Sequence, residues 1–269
     1  MTIKNIGIAG CLGRMGQELV KEIINNNQLN LAGGFEQPKH KDINKKISDL
    51  IGVNTDHIIS DDPEKIFIDS DVVIDFTTPQ SSLKNILLAS EKKTPLVIGT
   101  TGLDHKIMDI IRKVSKNTPI LQSFNMSVGV NLLFNFVEQA ASTLKESEYD
   151  IEISETHHKH KIDAPSGTAI KLGEYAAKGR KTNLKEVKVF DRTNLSSKRK
   201  KENIGFAVTR GGEIAGEHTV SFLGTNDRID LIHKAHNRSI FVKGAIKAAI
   251  FISNKKKGLY SIDDVIDSK

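Results

Sequence analysis

Short apolar runs and helix-spaced apolar stripes take turns along this chain as far as residue 122. Residues 3–9 form a short apolar run. Leu19, Val20, Ile23 and Ile24 then recur at helical spacing over 16–24. Residues 29–35 read as the next strand and 71–76 as a buried one, closed by Thr77-Thr78-Pro79. Ser81 is placed to cap a helix reaching about Lys92. Residues 95–98 form a strand stopped by Gly99-Thr100-Thr101-Gly102, a helix covers about 104–115, and 119–122 is a last short strand. Strands and helices that alternate through short loops predict a parallel sheet with right-handed crossovers.

After about residue 127 the rhythm changes. Residues 130–144 carry an apolar helical face. Strand-like stretches follow at 149–154, 186–190, 204–209, 218–222 and 228–233, interrupted by one helix over about 166–178. This order predicts an α+β domain with one open mixed sheet. Ala245, Ile246, Ala249 and Ile250 fall on one stripe of a tail helix over 243–252, which is expected to return to the first domain. The fold class is therefore α/β. A Rossmann-type parallel-sheet domain spans 1–127 with 239–269, and the α+β domain spans 128–238. The polar, lysine-rich segment 178–203 is the expected mobile loop.

Composition narrows the picture. Aromatic residues are 5% with no Trp, so the core must be aliphatic, as the core of a buried parallel sheet is. The net charge of +6, from 39 basic and 33 acidic residues, favours anionic partners through the long-range field. The lysine-rich runs 198–201 and 255–257 read as exposed loops. No recognition motif accompanies them, and no nucleic-acid partner is expected. The single Cys11 excludes an intramolecular disulfide and with it a disulfide-built secreted scaffold. The start of the chain lacks a signal-peptide pattern, and no apolar run nears the roughly 20 residues that span a bilayer. The expected setting is the cytoplasm, with no membrane partner.

Two stretches carry chemistry. Gly10-Cys11-Leu12-Gly13-Arg14-Met15-Gly16 follows the first strand and opens the first helix. Glycines there let the backbone approach a pyrophosphate, and the helix start offers N–H groups to it. Glu36, 20 residues past Gly16 at the end of the second strand, stands where a carboxylate accepts ribose hydroxyls. Arg14 could lie over an adenine or near a phosphate. A plain strand–helix turn would also use such glycines, and Cys11 reads as a small loop filler. Gly99-Thr100-Thr101-Gly102 sits beyond another strand end of the same sheet, where ligands bind in such folds.

The second stretch runs from Glu155 through Thr156-His157-His158-Lys159-His160-Lys161-Ile162-Asp163-Ala164-Pro165-Ser166-Gly167-Thr168 to Ala169. Three histidines and two lysines lie between a strand and a helix start. Pro165 and Ser166 mark that start, and Ser166-Gly167-Thr168 offers hydroxyls and N–H groups suited to a carboxylate. Histidine titrates near neutrality and a partly desolvated lysine can be tuned towards it. The set suits a reaction that holds an acidic substrate and moves a proton. A metal site of His157, His158 and His160 matches no common zinc spacing, and a solvated basic loop is the other alternative.

With these residues in view, the chain resembles the 4-hydroxy-tetrahydrodipicolinate reductase (dihydrodipicolinate reductase) family over nearly its whole length. The most specific match is the string from Glu155 to Ala169. Supporting matches are residues 10–16, Asp75-Phe76-Thr77, residues 99–102, 125–131 and 211–219. The resemblance implies reduction of a small cyclic dicarboxylate by NADH or NADPH with loss of water, in lysine and diaminopimelate biosynthesis. It implies that His157 is the acid–base and Lys161 the proton donor. His158, Ser166, Gly167 and Thr168 match substrate-binding positions. Gly10, Cys11, Leu12, Gly13, Arg14, Met15, Glu36, Gly99, Thr100, Thr101, Ser123, Phe124, Asn125 and Met126 match dinucleotide positions. No metal is implied, and a homotetramer formed through the second domain's sheet is. Many members carry an arginine just after the acidic residue that ends the second strand. Here that position is Gln37, with Lys39 and Lys41 close behind.

Overall fold

The computed structural model describes residues 3–193 and 197–268. In chain order the elements are β1 (Lys4–Ala9), α1 (Arg14–Ile24), β2 (Leu29–Phe35), α2 (Ile47–Ile51), β3 (Ile59–Ser60), α3 (Pro63–Asp69), β4 (Val72–Asp75), α4 (Pro79–Lys92), β5 (Leu96–Ile98), α5 (His105–Val114) and β6 (Pro119–Gln122). Then come α6 (Val128–Thr143), β7 (Asp150–His157), α7 (Gly167–Gly179), α8 (Leu184–Val187), β8 (Lys188–Val189), β9 (Ile204–Arg210), β10 (Gly216–Leu223) and β11 (Arg228–Ala235). The tail adds α9 (Ser239–Ile252), β12 (Gly258–Tyr260) and α10 (Ile262–Asp267). They form two compact units. One holds the chain up to Val128 and from Ser239 on, the other Gly129–Arg238.

The first unit is a parallel sheet in the order β12-β6-β5-β4-β1-β2-β3. The chain runs outward from β1 to β3, then returns to β4 on the other side of β1, which makes the β1/β4 boundary the switch point of the sheet. Continuous apolar strands allow helices on both faces. Ile6, Ile8, Val72, Ile74 and Val97 pack in one core with Leu19 and Ile23 of α1 and Val242, Ala245 and Ala249 of α9. Val73, Leu96, Ile98 and Ile120 pack in another with Ile86 of α4 and Ile111 of α5. Each of the large aliphatic side chains among these contributes about 1.5–3 kcal/mol by burial.

The second unit is a mixed sheet in the order β11-β10-β7-β9-β8. β10 runs antiparallel to β11 and β7, while β7, β9 and β8 are parallel. Strict alternation along β7 buries Ile151, Ile153, Glu155 and His157. Val130, Phe134 and Val137 of α6 and Leu172 and Ala176 of α7 complete that core. On the other face Ser154, Ala207, Thr209 and Ile232 are exposed.

The α/β architecture is the one expected, and several details differ. Thr78, not Ser81, caps α4: its hydroxyl accepts from Ser81 N–H, and Pro79 takes the first helical position. Of the strand expected over 186–190, only β8 forms, because Glu186 and Val187 close the short helix α8, whose Leu184 and Val187 are buried. The lysine-rich segment is not one continuous loop among its described residues. It contains the end of α7, α8 and β8, while 194–196 lie outside the described residues. Arg199, read as part of an exposed run, is largely buried. It donates to Asp150 Oδ1 at 2.6 Å and Glu152 Oε1 at 3.1 Å.

Candidate active site

In the first unit the residues singled out by sequence collect beyond the carboxyl ends of the strands. Gly10 to Met15 follow β1, Glu36 follows β2, Gly99 to Thr101 follow β5, and Ser123 to Met126 follow β6. Gly10 adopts φ +71°, and a Cβ on Gly16 would stand 2.1 Å from Gly10 O, so the turn is closed on bare backbone. Gly13 caps α1 with no side-chain acceptor for the first-turn N–H groups. Leu12 N–H donates to Glu36 Oε1 at 2.8 Å, which ties the carboxylate to the glycine loop. An uncapped helix start, a close-approach loop and a fixed carboxylate fit the pyrophosphate and ribose of a dinucleotide.

Two assigned side chains face inward. Cys11 is fully buried, and burial, reinforced by the nearby Glu36 charge, pushes its thiol up to about 12. It is a filler, not a nucleophile. Thr100 Oγ1 accepts from Ser82 Oγ at 2.8 Å and Thr77 N–H at 3.0 Å and donates to Asp75 Oδ1 at 3.2 Å. Its hydroxyl is thereby saturated. Asp75 also accepts from Thr77 N–H, Thr77 Oγ1 and Asn85 Nδ2. Burial raises its carboxyl above the ordinary range despite these donors. This buried network joins the ends of β4 and β5 to α4. Sequence reading missed it because Asp75 looked like part of an apolar strand.

In the second unit the site is built on Glu155, 2% exposed near the end of β7. His157 Nδ1 lies 2.6 Å from Glu155 Oε2. Arg210, at the end of β9, donates from Nη1 to Oε2 at 2.7 Å and from Nη2 to Oε1 at 2.8 Å. Ser166 N–H donates to Oε1 at 2.8 Å. Burial alone would raise this carboxyl, but the hydrogen bonds from His157, Arg210 and Ser166 more than offset it and hold it at about 2. Ser166 caps α7: its hydroxyl accepts from Ala169 N–H at 3.2 Å, and Gly167 and Thr168 open the helix. Ser166 Oγ also lies 3.0 Å from Nε2 of His218, a buried residue of β10.

Lys161 Nζ, on the loop between β7 and α7, is held by Asp163 Oδ1 at 2.8 Å and is largely buried. His158 is partly buried. Desolvation lowers its pKa, and the neighbouring Arg238, His157 and His160 act in the same direction. Its N–H bonds to Ile214 O at 2.8 Å on the β9–β10 loop. Lys159 and His160 turn outward to Glu213, at 3.5 and 3.6 Å. His157 and His160 therefore point to different neighbours, and no group of His, Cys, Asp or Glu among the described residues is arranged to hold a metal ion. The structure thus brings His157, Lys161, Ser166, Gly167 and Thr168 around one helix start. It adds Arg210 and His218, which sequence reading did not single out as site residues. Their positions follow from strand register: Arg210 pairs with His157, and His218 with Glu155.

The comparisons with known proteins concern the whole chain. The family model described as "Dihydrodipicolinate reductase, N-terminus" matches residues 4–126, and "Dihydrodipicolinate reductase, C-terminus" matches 129–266. A 4-hydroxy-tetrahydrodipicolinate reductase of Bartonella bacilliformis is 44% identical over 97% of this chain and 97% of its own length. One of Nitrosomonas europaea is 40% identical over 99% of both chains. A dipicolinate-bound dihydrodipicolinate reductase from Paenisporosarcina sp. TG-14 shares the fold, with a TM-score of 0.77 and 24% identity over 98% of this chain and 99% of that one. No helix among the described residues is long and apolar enough to cross a membrane. On these matches the chain belongs to the dihydrodipicolinate reductase family of oxidoreductases.

Proposed function

We infer that this chain uses NADH or NADPH to reduce 4-hydroxy-tetrahydrodipicolinate to tetrahydrodipicolinate, with loss of the hydroxyl as water, in lysine and diaminopimelate biosynthesis. The observation that carries the assignment of roles is the shared geometry of Glu155, His157 and Ser166, with Lys161 on the loop between them. The first unit is the dinucleotide domain and the second the substrate domain. The residues that would hold the dinucleotide are the backbone of Gly10, Cys11, Leu12 and Gly13, then Arg14 and Met15, Glu36, the backbone of Gly99, Thr100 and Thr101, and Ser123, Phe124, Asn125 and Met126.

The reduced nicotinamide supplies the hydride when bound; the chain supplies the proton and the anchoring. Ser166, Gly167 and Thr168 at the start of α7 hold a substrate carboxylate, where N–H groups and the helix dipole favour negative charge. His158 completes that anion site. Ionised Glu155 only accepts hydrogen bonds, so the His157 proton lies on Nδ1 and Nε2 is the nitrogen turned to chemistry. Lys161, held by Asp163, gives its proton to the position where negative charge develops as the hydride arrives.

The oligomer this reading implies is a homotetramer assembled through the open face of the second sheet, where Ser154, Ala207, Thr209 and Ile232 are exposed. Its setting is the cytoplasm. The deciding assay supplies the product of the preceding synthase and follows NADH or NADPH oxidation. Consumption that requires that product is the expected result, and a flat trace with both cofactors would overturn the assignment.

A further inference from the structure

His218 has no place in the proton chemistry described above, yet it is 4% exposed and sits against the substrate end of α7. Its Nε2 is 3.0 Å from Ser166 Oγ, its ring meets the His157 ring edge-on with centroids 5.1 Å apart, and its Nδ1 is buried without a hydrogen-bond partner among the described residues. The titratable groups that bear on it are His157, His233 and Lys161, which disfavour a positive charge on its ring, and Glu155, which favours one. Burial is the largest influence, and together they push the imidazole down to about 3. His218 is neutral, with one ring proton to place.

The surroundings decide where that proton lies. A proton on Nδ1 would leave a buried donor with no acceptor, the rarer and costlier kind of orphan; a proton on Nε2 leaves only a lone pair unmatched. The Nε2 proton then points to Ser166 Oγ. That oxygen has two lone pairs and one hydrogen, and Ala169 N–H already donates to it at 3.2 Å. A second donation from His218 fills both lone pairs. The Ser166 hydroxyl can then act only as a donor.

We propose that His218 is a positioning residue that turns the Ser166 hydroxyl into an obligate donor for a substrate carboxylate, so that the subsite takes an anionic oxygen and rejects a neutral donor such as a carboxamide N–H. This rests on the reading of Ser166 as a substrate residue. With the opposite tautomer, Ser166 would spend its proton on His218 and present nothing to the carboxylate.

The test uses the full-length protein and pyridine-2,6-dicarboxylate as the probe. Ser166→Ala should weaken binding of the probe about 10-fold or more. His218→Leu should weaken it similarly, with NADH affinity unchanged and KM for the substrate affected more than kcat. His218→Gln, which keeps an N–H at similar reach, should restore most of the affinity. In the Ser166→Ala background, His218→Leu should cost little more, since the two act as one unit. Fully additive losses, or Gln no better than Leu, would overturn the proposal while leaving Ser166 in the substrate site. An unaffected Ser166→Ala would overturn both. If His218→Leu does not fold, 15N NMR of the wild-type His218 ring decides directly: a proton on Nδ1 sinks the proposal.

Discussion

Glu155 Oε2 and His157 Nδ1 lie 2.6 Å apart, two residues along one strand and therefore on one face of the sheet. The carboxylate is the fixed member of the pair, because Arg210 grips both its oxygens and Ser166 N–H closes the set. An ionised, buried Glu155 only accepts hydrogen bonds, which favours the His157 tautomer with its proton on Nδ1.

Glu155→Gln should expose this dependence. A glutamine can offer an N–H to Nδ1, which favours the other tautomer and leaves Arg210 without its counter-charge. Turnover should fall about 10²-fold, within the range of a disabled acid–base group, while NADH affinity holds. Steady-state kinetics with NADH titration checks it, and near-normal kcat would remove Glu155 from the mechanism.

Lys161→Ala should lower kcat by roughly 10²–10⁴-fold, the loss typical of a general acid. Dinucleotide affinity should barely change, since Lys161 lies on the β7–α7 loop, well away in sequence from the Gly10–Gly16 turn. Turnover near that of the parent enzyme would exclude Lys161 as the donor.

Stability should fall on acidification in two overlapping steps. The folded Glu155 carboxyl is depressed from 4.5 to about 2, so its contribution is complete above 4.5 and is lost as pH drops towards 2. Folded His218 is depressed from 6.5 to about 3, so the unfolded chain binds its proton first and stability declines from about 6.5 downward. In both windows the unfolded state holds more protons, with a limiting slope of about 1.4 kcal/mol per pH unit for each group. Urea unfolding from pH 8 to 4 should show the decline, and His218→Gln should flatten its upper part. An unchanged slope in that variant would count against a neutral buried His218.

Cofactor choice should be broad, with NADH equal or modestly preferred. Glu36 is tied to Leu12 N–H, Gln37 carries no charge, and the nearby cations Lys39 and Lys41 are exposed on the following turn. An exposed lysine recovers at most about 1 kcal/mol from a 2′-phosphate contact. Salt should therefore weaken NADPH more than NADH, and Gln37→Arg should shift preference to NADPH. The measurement is kcat/KM for each cofactor at low and high salt; a strong NADPH preference that survives high salt would contradict it.

Much of this protein was legible along the chain. Continuous apolar strands announced a two-sided parallel sheet, and β2 and β6 fall where the pattern put them. The glycine turn, Glu36, and the His157-to-Thr168 string stood out as candidates because each is local: a strand end, a helix start and a handful of residues between. The stretch between β2 and β4 was less readable, since α2, β3 and α3 are too short for a period to repeat. What only the tertiary structure decided is the support of the site. Arg210 is 55 residues from Glu155 and His218 is 52 from Ser166, and no spacing links them. The register of β9 and β10 against β7 brings them together, and a slip of one residue would turn both to the opposite face. A sequence states which groups are able to carry a proton; the pairing of strands determines which of them are held, neutralised or aimed.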